Sequence, residues 1–407
     1  MVRAHSFMSM ALAATGSAIK GARKLGGSDL VVSEACLGTM TFGVQNSQED
    51  AFAQLKFATQ ECGVNFIDTA ELYPVPLTAP EWRAGVTETI VGNYLNSIGK
   101  KAREELVVAT KVAGYFPNSP VAAERYVPPK IDPMPDCRLD AVSIRTACDA
   151  SLRRLQTDYI DLMQIHWPDR YLPVFGQLEF KHDNIRDNDV PILETATALK
   201  DLMDEGKIRY IGLSNESPYG VGEWIKACES LGIRDKLVSI QNSYSLLDRR
   251  FDADLAESCA HYNIGLLPWS VLAGGLLSGK YSNNNKLSSS THSSKIIAVT
   301  NDSRFQKYPE YMSRWSPATA SAATLAAVEE YSRIAQENNI TPSQLAIAFC
   351  RSKRFISDNG SIIVGATTLE QLKENLSIFE NDEPLSEEIL EAINEVHMKC
   401  RDPSCSL

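Results

Sequence analysis

Several familiar signatures are missing from this 407-residue chain, and each absence removes a class of function. No uninterrupted apolar stretch of about 18 residues occurs, so no membrane-spanning helix and no membrane partner are expected. The nine cysteines are scattered; without a CxxC pair or a Cys/His cluster of zinc-ligand spacing, a structural or catalytic metal is not expected. Only Cys400 and Cys405 lie close together, and unpaired thiols in a reducing compartment fit that distribution. Positive charge is short, 40 Lys and Arg against 51 Asp and Glu for a net of -11. No basic stripe interrupts that acidity, which repels a phosphate backbone, so nucleic acid is not an expected partner. The chain also lacks a GxGxxG after its first strand and a GxSxG elbow, which argues against an open dinucleotide-binding sheet and against serine hydrolysis.

What is present suits a large globular core. Apolar residues make up 44% and charged residues 22% of the sequence, and one domain of barrel size with extensions accounts for the length. The first 28 residues contain no acidic side chain but carry Arg3, Lys20, Arg23 and Lys24 among Ser and Ala. That composition is shared with organelle transit peptides. The expectation is an extension over 1–22, a barrel domain over 23–395 and a tail over 396–407. A cytoplasmic location is expected, with plastid or mitochondrion as the alternative if the extension is an address.

Apolar runs of strand length alternate with stretches of helical periodicity, the pattern of repeated βα units around a parallel sheet. Eight runs stand out, at 32–38, 64–68, 106–111, 159–166, 208–214, 237–242, 264–270 and 361–366. Helices are expected at 47–63, with Ser47 as N-cap and Gly63 as stop, and at 139–155 and 191–206. Eight strands in strict alternation with helices point to an α/β fold of the (β/α)8 TIM-barrel class, with an open doubly wound sheet as the alternative. Three connections exceed ordinary βα loops: from Val112 to about Leu139, from Trp167 to about Val190, and from Tyr281 to about Pro317. All three follow strands and so rise from the C-terminal face, where barrel enzymes keep their active sites.

Four polar residues sit at or just beyond strand ends on that face: Asp68 closing VNFID, Tyr73 in the following AELYP turn, Lys111 closing LVVATK and His166 closing YIDLMQIH. Singly, each has a plain structural explanation, as a cap, a turn residue, a snorkelling lysine or a core histidine. Together they form a chemical device. A phenol, with a reference pKa of about 10, becomes a useful proton donor when a cation stabilises its phenolate. Lys111 can supply the cation, Asp68 can hold Lys111, and His166 can orient a substrate oxygen. The set suits carbonyl reduction, in which charge grows on oxygen as hydride reaches carbon.

The strings RKLGGSDLVVSE, CLGTMTFG, NFIDTAELYP, VTETIVGNYL, LQTDYIDLMQIHWPDR, GKIRYIGLSNES, LLPWSVLAGGLLSGKY and VGATTLEQLKENL, in this order, resemble the aldo-keto reductase superfamily, especially its Tas-like branch related to the potassium-channel β subunits. The resemblance implies a catalytic tetrad of Asp68, Tyr73, Lys111 and His166, with Tyr73 as general acid, and NADP(H) lying across the barrel mouth. It implies that Ser214, Asn215 and Gln241 hold the carboxamide and that Trp269 stacks on the nicotinamide, with Thr39 and Met40 beside it. Ser270, Leu272, Gly274 and Lys280 match the pyrophosphate segment. Gly365, Thr367, Gln371, Glu374 and Asn375 match the adenosine site. Arg304, in DSRF, is similar in position to an arginine that reads the ribose 2'-phosphate. Many relatives carry an arginine where this chain has Gln371, so phosphate selectivity is expected to come chiefly from elsewhere.

The implied activity is NADPH-dependent reduction of an aldehyde or ketone, with a small-molecule carbonyl compound as the substrate. Trp82, Tyr115, Phe116, Trp167 and Trp315, on connections above the mouth, suggest an apolar or aromatic one. The alternative is a redox-sensing, nicotinamide-binding regulatory subunit with little turnover. The channel subunits carry asparagine at the position of His166, so this histidine favours the enzyme.

Overall fold

The computed structural model describes residues 21–126, 133–177, 179–281, 307–308, 311–317 and 319–403. A short hairpin opens it, Arg23–Lys24 (β1) pairing antiparallel with Val31–Val32 (β2). Eight parallel strands follow: Ala35–Gly38 (β3), Phe66–Asp68 (β4), Val107–Val112 (β5), Ile160–Ile165 (β6), Ile208–Ser214 (β7), Leu237–Gln241 (β8), Gly265–Leu266 (β9) and Ile362–Val364 (β10). Neighbours in sequence are neighbours in the sheet, and β10 returns to pair with β3. The Ser361 amide donates to Leu266 O at 3.2 Å and the Ile363 amide to Pro268 O at 3.3 Å, which joins β10 to β9 and completes the ring. The fold is a (β/α)8 barrel.

All eight expected strands are present, most of them shorter than the apolar runs that announced them. The run at 264–270 contributes only Gly265–Leu266 to the ladder, because Pro268 has no N–H to donate beyond it. At the other end of the barrel, the hairpin brings Leu25, Leu30 and Val32 against inward residues that include Cys36, Phe66, Val107, Ala109, Leu162 and Leu267. That apolar plug closes the N-terminal mouth.

Helix starts follow from local chemistry. Ser47 caps Gln48–Lys56 and forms a reciprocal capping box with Asp50, satisfying two amide donors that the first turn leaves free. The segment then widens into a π-helical turn over Phe57–Glu61 and ends at Gly63 with φ +68°, a conformation that costs glycine nothing. Asp140 caps Ala141–Leu155 and Pro191 precedes Ile192–Asp204. The last helix, Glu387–Lys399, packs on Ala322–Glu337. Beyond it Asp402 accepts the Arg249 amide and Pro403 O accepts the Thr324 hydroxyl. Among the described residues no helix is long and apolar enough to cross a membrane, and no group of three His, Cys, Asp or Glu is placed to hold a metal.

Candidate active site

Side chains on a strand alternate faces, so every second residue points into the barrel. On β4 that face carries Phe66 and then Asp68; on β5, Val107, Ala109 and then Lys111; on β6, Leu162, Gln164 and then, just past the strand, His166. Phe66, Val107, Ala109 and Leu162 belong to the apolar plug. The next layer toward the C-terminal mouth is polar. Two-residue periodicity thus delivers Asp68, Lys111 and Gln164 to one level.

Lys111 is fully buried, and its ammonium uses its three donors locally. It bonds Asp68 Oδ2 at 2.6 Å, Thr69 O at 2.9 Å and the Tyr73 hydroxyl at 3.3 Å. Asp68, 2% exposed, accepts two further bonds on Oδ1, from Gln164 Nε2 at 2.9 Å and Gln241 Nε2 at 2.8 Å. The Tyr73 ring meets His166 edge to face. His166 is buried, its main-chain N–H donates to Val112 O, and its Nδ1 has no hydrogen-bond partner. The structure therefore gathers all four residues of the expected tetrad.

Electrostatics within the cluster are governed by burial and one cation. Burial pushes the Tyr73 phenol above its ordinary value, while Lys111 pulls against it without reversing the direction. Burial also works against the Lys111 ammonium, but Asp68 and Tyr73 together more than offset it, and its net shift is upward. Burial, with Lys111 adding to it, holds the His166 imidazole well below the usual histidine range. The arrangement is a neutral phenol and a neutral imidazole beside a retained positive charge.

The expected cofactor residues form three groups around the same mouth. In the first, the Ser214 hydroxyl donates to Gln241 O at 2.8 Å, and Asn215 Nδ2 donates to His166 O at 2.9 Å and Ser214 Oγ at 3.1 Å. Thr39 anchors the end of β3 by giving its N–H and hydroxyl to Asp68 O. Met40 O accepts the Val75 amide. Trp269 packs edge-on against Trp315, with ring centroids 5.8 Å apart, and its indole N–H is buried without a partner.

In the second group, Ser270, Ala273, Gly274 and Gly275 all have positive φ, between +45° and +106°. Leu272 O accepts the Gly275 and Leu277 amides within this winding turn. A Cβ on Gly275 would lie 2.8 Å from Lys280 Nζ, so the lysine folds back over the turn. In the third group, the Thr367 amide and hydroxyl both donate to Gln371 Oε1, Asn375 Nδ2 donates to Gly365 O, and Glu374 accepts from Thr341. A Cβ on Gly365 would come within 3.1 Å of Gly38 O. Arg304 lies outside the described residues.

The aromatic residues expected above the mouth have unequal roles. Trp82 is buried and donates its indole N–H to Pro74 O at 2.7 Å, bracing the turn that carries Tyr73. Trp167 donates to Tyr115 O and packs against both His166 and Phe175. Phe116 pairs with Cys137 by backbone bonds in both directions and packs against the apolar cluster that contains Leu72, Trp82 and Cys137. Trp315 is fully buried behind Trp269.

Two features were not singled out in the sequence. Gln164 was legible only as a lone amide within an apolar strand. Glu71, two residues before Tyr73, accepts the Ala113 amide at 2.7 Å and a two-pronged ion pair from Arg125, at 2.9 and 2.7 Å. Both partners are buried, and nothing in their spacing along the chain announces the pairing.

Comparison with known proteins places nearly the whole chain in one family. The model of the Aldo/keto reductase family matches residues 34–397. The chain is 40% identical over 370 residues to Protein tas of Escherichia coli (strain K12), covering 91% of this chain and 95% of that protein. It is 30% identical to the uncharacterized oxidoreductase YrpG of Bacillus subtilis (strain 168), over 91% of this chain and 94% of that one. It is also 30% identical to a probable voltage-gated potassium channel subunit beta of Oryza sativa subsp. japonica, over 92% and 95% of the respective lengths. A barrel with these residues at its mouth, matched along nearly its whole length, belongs to the aldo/keto reductase family of oxidoreductases, in the Tas-like branch related to the potassium-channel β subunits.

Proposed function

We propose that the protein reduces an aldehyde or ketone to an alcohol with NADPH, and that Tyr73 delivers the proton. One observation carries the reading: a fully buried lysine bridges a carboxylate at 2.6 Å and a phenol at 3.3 Å at the barrel mouth. A buried lysine with no catalytic task is expensive to keep charged, whereas a phenol that must lose a proton benefits from a cation within hydrogen-bond reach.

The residues present suit a nicotinamide dinucleotide. Asn215 Oδ1 and Gln241 Oε1 accept no hydrogen bond among the described residues, so acceptors face the mouth where a carboxamide would need them. Positive φ at Ser270, Ala273, Gly274 and Gly275 turns the backbone at positions whose side chains are absent or small, where it can come close to a ligand, and Lys280 adds positive charge. Ser214, Asn215 and Gln241 would hold the carboxamide, and Trp269 would offer an aromatic face, with Thr39 and Met40 beside it. Ser270, Leu272, Gly274 and Lys280 would hold the pyrophosphate. Gly365, Thr367, Gln371, Glu374 and Asn375 would hold the adenosine, and Arg304 the 2'-phosphate. When bound there, NADPH would supply hydride to the carbonyl carbon.

The chain's own residues supply the rest. As negative charge develops on the substrate oxygen, the Tyr73 hydroxyl gives up its proton to it, and Lys111 stabilises the phenolate left behind. Asp68 holds the Lys111 ammonium in place. His166, kept neutral, can donate an N–H to the same oxygen and orient it without competing as an acid. Trp167 and Phe175 form an apolar wall beside His166, which supports an apolar or aromatic carbonyl as substrate.

Tyr73→Phe provides the test, because it removes one oxygen and leaves the ring. NADPH binding should persist while turnover of an aromatic aldehyde falls by about 10²- to 10⁴-fold. Equal turnover would remove Tyr73 from its role. The second reading, a nicotinamide-binding regulatory subunit, is supported by the channel-subunit relative; tight NADPH binding with no turnover of any aldehyde or ketone in the wild type would favour it.

A further inference from the structure

Asp169 follows His166 by three residues and is 4% exposed, yet it takes no part in the cluster around Lys111. Its carboxylate gathers two distant segments of chain instead. Oδ2 accepts Arg138 Nε and the Leu139 amide, both at 3.0 Å. Oδ1 accepts Arg138 Nη2 and the Val190 amide at 3.0 Å, and Arg186 Nη2 at 3.2 Å. Arg186 donates to Asp169 O as well. Arg138 and Leu139 end the long connection after β5, whereas Arg186 and Val190 end the one after β6. One side chain thus ties both connections together.

The two arginines carry the tie to the barrel mouth. Their guanidinium carbons lie over the Tyr115 ring, Arg186 at 3.4 Å and Arg138 at 5.6 Å from its centroid, and Tyr115 O accepts the Trp167 indole N–H at 3.0 Å. Trp167 flanks His166, with ring centroids 4.9 Å apart, and meets Phe175 edge to face. The main chains of the two connections also touch, since a Cβ on Gly114 would lie 2.0 Å from Trp167 O. A further bond between them, from Arg138 Nη2 to Asn188 O at 2.5 Å, comes from an arginine that Asp169 itself holds by two bonds. Without that carboxylate, two largely buried cations would share one ring with their common counter-charge gone.

We propose that Asp169 is a positioning residue that makes Tyr115, Trp167 and Phe175 one preformed substrate wall, and that this preformation sets the preference of the site for flat aromatic carbonyl compounds over flexible aliphatic ones. The inference rests on the proposed carbonyl reduction and deepens it by naming what sets the substrate class. A contact between rings has a preferred geometry, so a wall already held in place loses no freedom when an aromatic substrate arrives. An aliphatic chain makes contacts without direction and gains less from a fixed wall.

Steady-state reduction of benzaldehyde and of hexanal with NADPH tests it. Wild type should favour benzaldehyde in kcat/KM by at least about tenfold. Asp169→Asn keeps the size of the side chain, but every bond to either carboxylate oxygen comes from an N–H, so an amide nitrogen strands donors whichever way it is turned. The preference should fall at least about fivefold through a rise in KM for benzaldehyde, while kcat for hexanal and the Kd of NADPH stay within about twofold of wild type. Arg186→Met, which leaves Asp169 paired with Arg138, should move the preference in the same direction by a smaller factor. In a Trp167→Ala background the Asp169 substitution should change the preference no further, as expected if it acts through the wall.

A merely structural role would lower the melting temperature of Asp169→Asn and leave the preference intact, and that outcome overturns the proposal. So does a wild type that does not favour benzaldehyde. Arg186→Met decides the matter in the same way if the asparagine variant does not fold. A wild type that reduces no aldehyde or ketone overturns the carbonyl-reductase reading together with the proposal, whereas an unchanged preference in the variants leaves that reading standing.

Discussion

The rings of Tyr73 and His166 meet edge to face, with centroids 5.7 Å apart and planes at 84°. The contact packs the imidazole among buried groups with Lys111 as its nearest strong charge, and both factors oppose protonation. The His166 ring should show its titration midpoint displaced to the acid side of the ordinary histidine range, followed in the imidazole C–H resonances. A midpoint near the reference value of about 6.5 would contradict the site's electrostatics.

The same depression sets a sign for stability. The folded value lies below the unfolded one, so the unfolded chain binds the extra proton as the solution becomes acid. The contribution of the neutral ring is full above about pH 6.5 and is lost as pH falls toward the depressed folded value. His166→Asn should lose turnover, keep NADPH binding and show a smaller drop in melting temperature between neutral and acid pH than the wild type. An equal drop in both proteins would place the acid sensitivity elsewhere.

Arg125→Met should destabilise the fold by about 3–5 kcal/mol in chemical denaturation, because it strands the Glu71 carboxylate in the interior. Burial works against the Arg125 guanidinium, but Glu71 more than offsets it and drives its net shift upward, which marks the pair as mutually dependent. Exchanging both partners for methionine should recover most of the loss. If the double variant is as unstable as the single one, the value of the pair lies in the Ala113 amide bond instead.

Arg304→Ala should raise the Kd of NADPH tenfold or more while moving that of NADH by less than about twofold, the signature of a lost contact to the 2'-phosphate. Gln371 is no cation and its Oε1 is occupied by Thr367, so it is no substitute. Equal weakening of both nucleotides would remove Arg304 from that role.

Gly92→Ala sets two effects of opposite sign against each other. In the interior of helix Val86–Glu104, alanine would ordinarily gain about 0.5–1 kcal/mol over glycine. A Cβ there would lie 2.1 Å from Arg154 O and 2.7 Å from Leu155 C, main-chain atoms that end the helix alongside. Overpacking against backbone costs about 1–3 kcal/mol, so the melting temperature should fall. A rise would mean that the two helices separate cheaply.

The barrel was legible because each strand is a short apolar run between helical stretches, and Asp68, Lys111 and His166 stood out because they close such runs, with Tyr73 in the turn beyond the first. The structure gathers Asp68, Tyr73, Lys111 and His166 for a reason visible in the sequence, the two-residue repeat that leads from Ala109 to Lys111 and from Phe66 to Asp68. Gln164 obeys the same repeat but reads as one amide in an apolar strand, and its partner Gln241 lies 77 residues away in the chain. Glu71 and Arg125 are likewise joined only by the folding of the connection after β5. Patterns of alternation survive in a sequence, whereas partnerships between single side chains do not. The hairpin over residues 23–32 was missed because strands of two residues leave no periodicity to read.

Among the described residues, two backbone hydrogen bonds, from the Ser361 amide to Leu266 O and from the Ile363 amide to Pro268 O, close the ring beside β9, which contributes two residues to the ladder. That join is the clasp of a ring whose other neighbouring strands pair directly in the sheet, with one register shift between β7 and β8 at Ile211 and Gly212. Residues 269–280 leave from one side of it and residues 365–375 from the other. A dinucleotide held by both segments would lie over the clasp like a staple, so its grip would also be hoop strength for the barrel itself.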